Sequence, residues 1–168
     1  DYYLSHDQSG TYAYLKKGLQ VLTFLKGPNR WVIKCPQHME QLPVLRATFP
    51  DATYVITHRD PVASIRSTLS MWLYASRILR TKSDPEEPKG YWVDRYRTLL
   101  ERCVRDHHVL PPEQTVDVYF HQWIKNPDAI LGEIYAKAGL PLDAQTLATL
   151  HRYHADHDPG IKGRVVFN

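Results

Sequence analysis

The sequence predicts an α/β fold, a parallel sheet flanked by helices. Three short segments rich in apolar or β-branched residues, Trp31–Ile33, Thr53–His58 and Thr115–Phe120, read as strands. Stretches with helical spacing of apolar residues separate them. Parallel neighbours need long crossovers, and helical crossovers cover both faces of a sheet.

In chain order, Tyr12, Leu15, Leu19 and Leu22 form the first helical stripe, and Gly27-Pro28 ends it. The Trp31–Ile33 strand follows. Gln41–Phe49 reads as a helix, with Pro43 tolerable in its first turn. After the Thr53–His58 strand, Asp60 suits an N-cap and Pro61 the first helical position. Val62, Ile65, Leu69, Trp72 and Leu79 give that helix its apolar side. Residues 80–90 are polar and contain prolines, which predicts a mobile loop. Trp92, Tyr96, Leu99 and Cys103 mark the next helix, and Thr115–Phe120 the third strand. Asn126-Pro127 repeats the cap-then-proline signal, with Gly139 at that helix's end. Asp143 caps a last helix reaching about His154, and the tail from Asp158 to Asn168 has no clear period.

The 168 residues, 43% of them hydrophobic, are enough for one core, so a single domain over 1–168 is expected. Two cysteines cannot make a disulfide scaffold, which points to a reducing compartment such as the cytoplasm. No apolar run approaches the ~18 residues of a membrane span, and no signal-peptide core is present. Residues 30–80 hold seven bases and three acids, whereas 81–168 hold eleven bases and thirteen acids. So local an excess suits a focused anion site better than the long basic face of a nucleic-acid binder.

That anion site is expected at Arg59. It follows a strand and precedes a helix, and ligands of open α/β sheets bind at the carboxyl ends of strands. A helix N-terminus offers unpaired N–H groups, and a guanidinium adds a planar donor fork. Ser64 and Ser67 lie one helical turn apart and can present hydroxyls to the same anion. An ordinary capped helix, with Arg59 paired to a surface carboxylate, is the plainer reading. Lys34 follows a strand too, and His38 lies one short turn further on. A cation and a group titrating near neutrality suit transfer chemistry; a lysine lying along the surface and a helix-start histidine are the alternative.

WVIKCPQH (31–38), FPDATYVITHRDP (49–61) and Ser67 together resemble the sulfotransferases that use 3′-phosphoadenosine 5′-phosphosulfate (PAPS). The likeness is greatest to the bacterial-type branch. It extends through TYAYLKKGLQVL (11–22), VDVYFHQWIKNP (116–127) and GRVVFN (163–168), hence over nearly the whole chain. It implies a P-loop-NTPase-like sheet and sulfuryl transfer from PAPS to the hydroxyl or amine of a small-molecule or carbohydrate acceptor, without a metal. An arginine and a serine eight residues apart bind the 3′-phosphate in that family, which implies this role for Arg59 and Ser67. Lys34 and His38 fall where the cytosolic enzymes carry a Lys-x-His segment, with Lys34 stabilising charge and His38 the general base. The spacing here is Lys-x-x-x-His, so His38 as substrate ligand or helix cap stays open. Phe120 stands where the family has a tyrosine, near the adenine, and His121-Gln122 replace an acidic pair. Lys162, Gly163 and Arg164 are placed to close over the 3′-phosphate, or form a solvated loop.

The family's glycine-rich 5′-phosphosulfate loop is not found in residues 1–168, so the resemblance implies a domain incomplete at its N-terminus and inactive alone. A non-catalytic nucleotide- or anion-binding module and a P-loop kinase relative remain alternatives. Zinc at Cys35, His38, Cys103 and His107 is disfavoured because Cys103 continues an apolar stripe. His151, His154 and His157 share one broad helix side, where the C-terminal dipole already favours a charged histidine.

Overall fold

A computed structural model describes residues 2–79 and 87–157. Helix α1 (Tyr2–Ser5) leads into α2 (Ser9–Lys26). The Asp7 carboxylate accepts from the Ser9 amide at 2.9 Å and from its hydroxyl at 2.7 Å, which covers the start of α2. Gly27, at φ 88°, ends it; at that angle any Cβ is strained. A 3₁₀ turn, Pro36–Glu40, precedes α3 (Leu42–Thr48).

Strands β1 (Tyr54–His58) and β2 (Thr115–Tyr119) pair in parallel, with Ile56 opposite Asp117 and His58 opposite Tyr119. Between them run α4 (Pro61–Leu79) and α5 (Glu87–Asp106). Beyond β2 lie α6 (Phe120–Lys125), α7 (Pro127–Lys137) and α8 (Ala144–Asp156). The caps fall where the sequence places them. Asn126 accepts from the Ala129 amide at 3.2 Å and Asp143 from the Thr146 amide at 2.7 Å. One sheet face packs Tyr54 and Ile56 against Leu42, Cys103 and Leu110. Val116 and Val118 are buried on the other, while Val55 beside them stays 41% exposed.

Three expectations are corrected. Trp31–Ile33 forms no strand. No described strand lies alongside to take its backbone groups; instead the Trp31 indole donates to Thr23 Oγ1 at 2.8 Å, and Val32 is 93% exposed. The predicted 80–90 loop ends sooner, since Glu87–Gly90 already form the first turn of α5. Pro88 is tolerated there because early helical N–H groups lack partners anyway. Phe120 opens α6 rather than closing β2. Residues 80–86 and the tail, with Lys162, Gly163 and Arg164, lie outside the described residues.

Candidate active site

Arg59 sits at the joint between β1 and α4. Asp60 caps that helix, its Oδ1 accepting from the Val62 amide at 2.9 Å. The Arg59 guanidinium lies 4.9 Å from the centre of the Phe120 ring, at the start of α6. It is exposed and has no carboxylate partner among the described residues. The ion pair of the plainer reading of Arg59 is therefore absent among the described residues. Ser67 is exposed, with no hydrogen bond of its hydroxyl among the described residues. Ser64 differs: its hydroxyl donates back to the Asp60 carbonyl at 3.0 Å, so binding an anion requires it to turn. The joint thus presents a free guanidinium, a free hydroxyl and an aromatic face, a set that fits a phosphate beside a planar ring.

Behind the joint, one carboxylate oxygen serves two rings. Asp117 Oδ1 is 2.6 Å from His58 Nε2 and 3.1 Å from His107 Nε2. Burial pushes the Asp117 carboxyl up, but hydrogen bonds from both rings outweigh it and hold the group below the usual carboxylate range. His58 also stacks on Tyr119, 4.7 Å between ring centres. The residue preceding Arg59 is therefore fixed on two sides.

His38 occupies the Pro36–Glu40 turn, where its Nδ1 lies 2.8 Å from the Tyr12 hydroxyl of α2. Burial pushes its pKa down, so the neutral imidazole is favoured. Burial first, then the neighbouring Tyr3, Cys35 and Glu40, push the Tyr12 phenol well up, so it keeps its proton. Lys34 lies on the extended segment before this turn, exposed and without a partner among the described residues. It leaves from irregular backbone, not from a strand end.

Two residues past His38, Glu40 is only 2% exposed. Arg95 of α5 donates to both its carboxylate oxygens through Nη1 and Nη2. A buried carboxylate is tolerable only when so fully paired. The adjacent Tyr96 turns the other way: its hydroxyl is 2.6 Å from Thr68 Oγ1 and 3.5 Å from the Ser64 carbonyl, both on α4. Consecutive residues of α5 thus hold the His38 turn and the Arg59 helix. Sequence reading misses Tyr12, Glu40, Arg95, Tyr96 and Asp117. Their partners lie 26, 55, 55, 28 and 59 positions away, and only the acidic Glu40 beside Met39 and Leu42 hints at burial.

Among the described residues, no three His, Cys, Asp or Glu side chains gather to hold a metal ion. His151 pairs with Asp128 at 2.8 Å, whereas His157 bonds the Tyr153 carbonyl and stacks on its ring. Among the described residues, no helix is long and apolar enough to cross a membrane.

The sulfotransferase family model matches residues 4–144, which include the Arg59 joint and the His38 turn. The chain belongs to the sulfotransferase family. Over 131 residues it is 26% identical to omega-hydroxy-beta-dihydromenaquinone-9 sulfotransferase Stf3 of Mycobacterium bovis, and equally to that of Mycobacterium tuberculosis. Those alignments cover 75% of this chain and 33% of each relative, so the chain spans about a third of their length. The crystal structure of sulfotransferase STF9 from Mycobacterium avium superimposes with a TM-score of 0.82 at 28% identity, covering 98% of this chain and 41% of that one. The small parallel sheet between helices is the P-loop-like sheet of this sulfotransferase fold.

Proposed function

We propose that this chain carries the nucleotide site and general base of a PAPS-dependent sulfotransferase. The reading rests above all on Arg59, its guanidinium unpaired among the described residues and lying over the Phe120 ring. Arg59 and Ser67 bind the 3′-phosphate, and Phe120 packs near the adenine. Ser64 joins them once its hydroxyl releases the Asp60 carbonyl. Lys162, Gly163 and Arg164 of the tail are assigned to the same phosphate on the family resemblance.

The donor supplies an SO₃ unit attached through a bridging oxygen to its 5′-phosphate. His38 takes the proton from the acceptor hydroxyl as the new S–O bond forms and the bridging S–O bond breaks. Lys34 offsets the negative charge that builds on the bridging oxygen. The products are a sulfate ester, the 3′,5′-bisphosphate PAP and the proton on His38, which returns to solvent. No step calls for a metal. The acceptor is a hydroxyl or amine on a small molecule or carbohydrate. A hydroxyl is favoured, since the relatives' name specifies an omega-hydroxy compound. With no glycine-rich phosphosulfate loop in its sequence, the 168-residue chain alone binds PAP without transferring sulfate. Cys35 and Cys103 are free thiols, which supports a cytoplasmic setting.

Calorimetry with PAP and with adenosine 5′-phosphate tests the assignment. Three- or four-way hydrogen bonding to the extra phosphate predicts markedly tighter binding of PAP. Equal affinity for the two nucleotides overturns the 3′-phosphate site.

A further inference from the structure

Arg59 and Phe120 follow different strands, so what sets their spacing lies outside the run of residues around Arg59. The hydrogen-bonded sheet stops one rung short of them: β1 ends at His58 and β2 at Tyr119, which are register partners. Strand ends open most easily, because no further rung holds them. Here side chains hold the last rung. Alternate residues of a strand share a face, which puts Ile56 and His58 beside Asp117 and Tyr119. Asp117, opposite Ile56, reaches diagonally to His58, 2.6 Å from its Nε2. The His58 ring stacks on Tyr119 with 19° between the planes. The same Asp117 oxygen lies 3.1 Å from Nε2 of His107, in the 3₁₀ turn His107–Val109 that follows α5. At neutral pH a carboxylate only accepts, so both Nε2 atoms carry a proton and both bonds are of the stronger, charge-assisted kind. A cavity of about 250 Å³, lined by His58, Cys103, Val104, His107, Asp117 and Tyr119, opens beside them. With space there, close packing does not fix the rings; the shared oxygen and the stack do. One carboxylate thus ties β1, β2 and the end of α5 at the rung from which Arg59 and Phe120 leave.

We propose that Asp117 is a positioning residue of the nucleotide site: through His58 and His107 it holds the two strand ends at the spacing that lays Arg59 over Phe120, 4.9 Å from the ring centre. Each member of the stacked pair is the chain neighbour of one member of the binding pair, His58 of Arg59 and Tyr119 of Phe120. A slip of one strand end past the other therefore passes straight to the guanidinium and the ring. A ligand that engages both at once, phosphate on Arg59 and base on Phe120, senses that spacing. A ligand that engages only the ring does not. Asp117 thus governs discrimination between nucleotides with and without a 3′-phosphate, rather than nucleotide binding as such. This consequence rests on Arg59 being the 3′-phosphate ligand, whereas the tie across the strand ends does not.

Calorimetry on the 168-residue chain, with PAP and with adenosine 5′-phosphate, reads this as a ratio of affinities. Asp117→Ala is expected to weaken PAP by roughly 10-fold, inside the ~10²-fold that a 1 Å misplacement can cost, and to leave adenosine 5′-phosphate unchanged. A general loss of folded protein weakens both alike, so the ratio separates positioning from stability. His58→Phe keeps a ring on Tyr119 but gives Asp117 no donor on β1, and lowers the ratio in the same direction even where Asp117→Ala folds poorly. Asp117→Asn keeps an acceptor oxygen in place and recovers most of the ratio. In an Arg59→Ala background, Asp117→Ala costs nothing further, because a residue acting through Arg59 has nothing left to position. An unchanged ratio in Asp117→Ala and His58→Phe, an asparagine variant no better than the alanine one, or full additivity with Arg59→Ala overturns the proposal. Arg59→Ala weakening PAP while Asp117→Ala does not sinks the positioning role alone. Undiminished PAP binding by Arg59→Ala sinks the 3′-phosphate reading and this consequence with it.

Discussion

The Arg59 joint and the His38 turn are built in opposite ways. The joint is local: strand end, arginine, cap, proline and serine follow within residues 58–67, and Arg59 and Ser67 are exposed. The turn is assembled from afar, with Tyr12, Tyr3, Glu40 and Arg95 meeting around a short 3₁₀ segment. A group that meets a charged ligand needs a rigid frame and free donors, which consecutive residues can provide. A base needs its ring angle and proton position set, and that takes partners from several elements.

Four changes break or sharpen this contrast. His38→Ala should lower sulfuryl transfer by ~10²–10⁴, the usual contribution of a general base. PAP affinity should be unchanged, since the joint does not depend on that ring. Loss of both together would mean the two regions are not separable. Arg95→Ala leaves the Glu40 carboxylate buried and unpaired, which costs about 3–5 kcal/mol, read as a lower urea midpoint. Arg95→Lys recovers little, because only a guanidinium reaches both oxygens.

Next comes Arg59→Ala, which removes one charged hydrogen-bonding group from an exposed site. It should weaken PAP binding by ~1.5–3 kcal/mol, about ten- to a hundredfold, and leave adenosine 5′-phosphate almost unaffected. Undiminished PAP binding would remove Arg59 from the site. Smallest is the pH effect. Burial lowers the His38 pKa, so the ring becomes a free base at a pH below the ordinary ~6.5. The acid limb of kcat/KM should therefore fall below that value. An acid limb above it would assign the base elsewhere. The sign for stability is the same: protonating the buried ring costs stability as pH drops through its lowered pKa.

The same contrast explains what could be read from the residues alone. Asp60-Pro61 and Asn126-Pro127 declare helix starts because capping chemistry acts over three or four residues. Arg59 is legible as the neighbour of a strand and Phe120 through the family resemblance, although only the fold brings them to 4.9 Å. Trp31–Ile33 misleads because apolar composition marks a strand only where a partner strand supplies hydrogen bonds, and here the indole docks on α2 instead. Lys34 is thereby left on extended backbone. The Glu40–Arg95 pair was out of reach: an acid and an arginine 55 positions apart look like two ordinary surface charges.

Arg95 and Tyr96 have one more consequence. Successive residues on a helix point about 100° apart, so one rigid segment of α5 grips the turn with one side chain and α4 with the next. Neither grip can loosen through a shift of α5 without disturbing the other. Turn and helix should therefore open as a single unfolding unit. With PAP held at Arg59 as proposed, amide exchange at residues 38–41 and in the first half of α4 would then slow together, reporting nucleotide occupancy at the His38 turn.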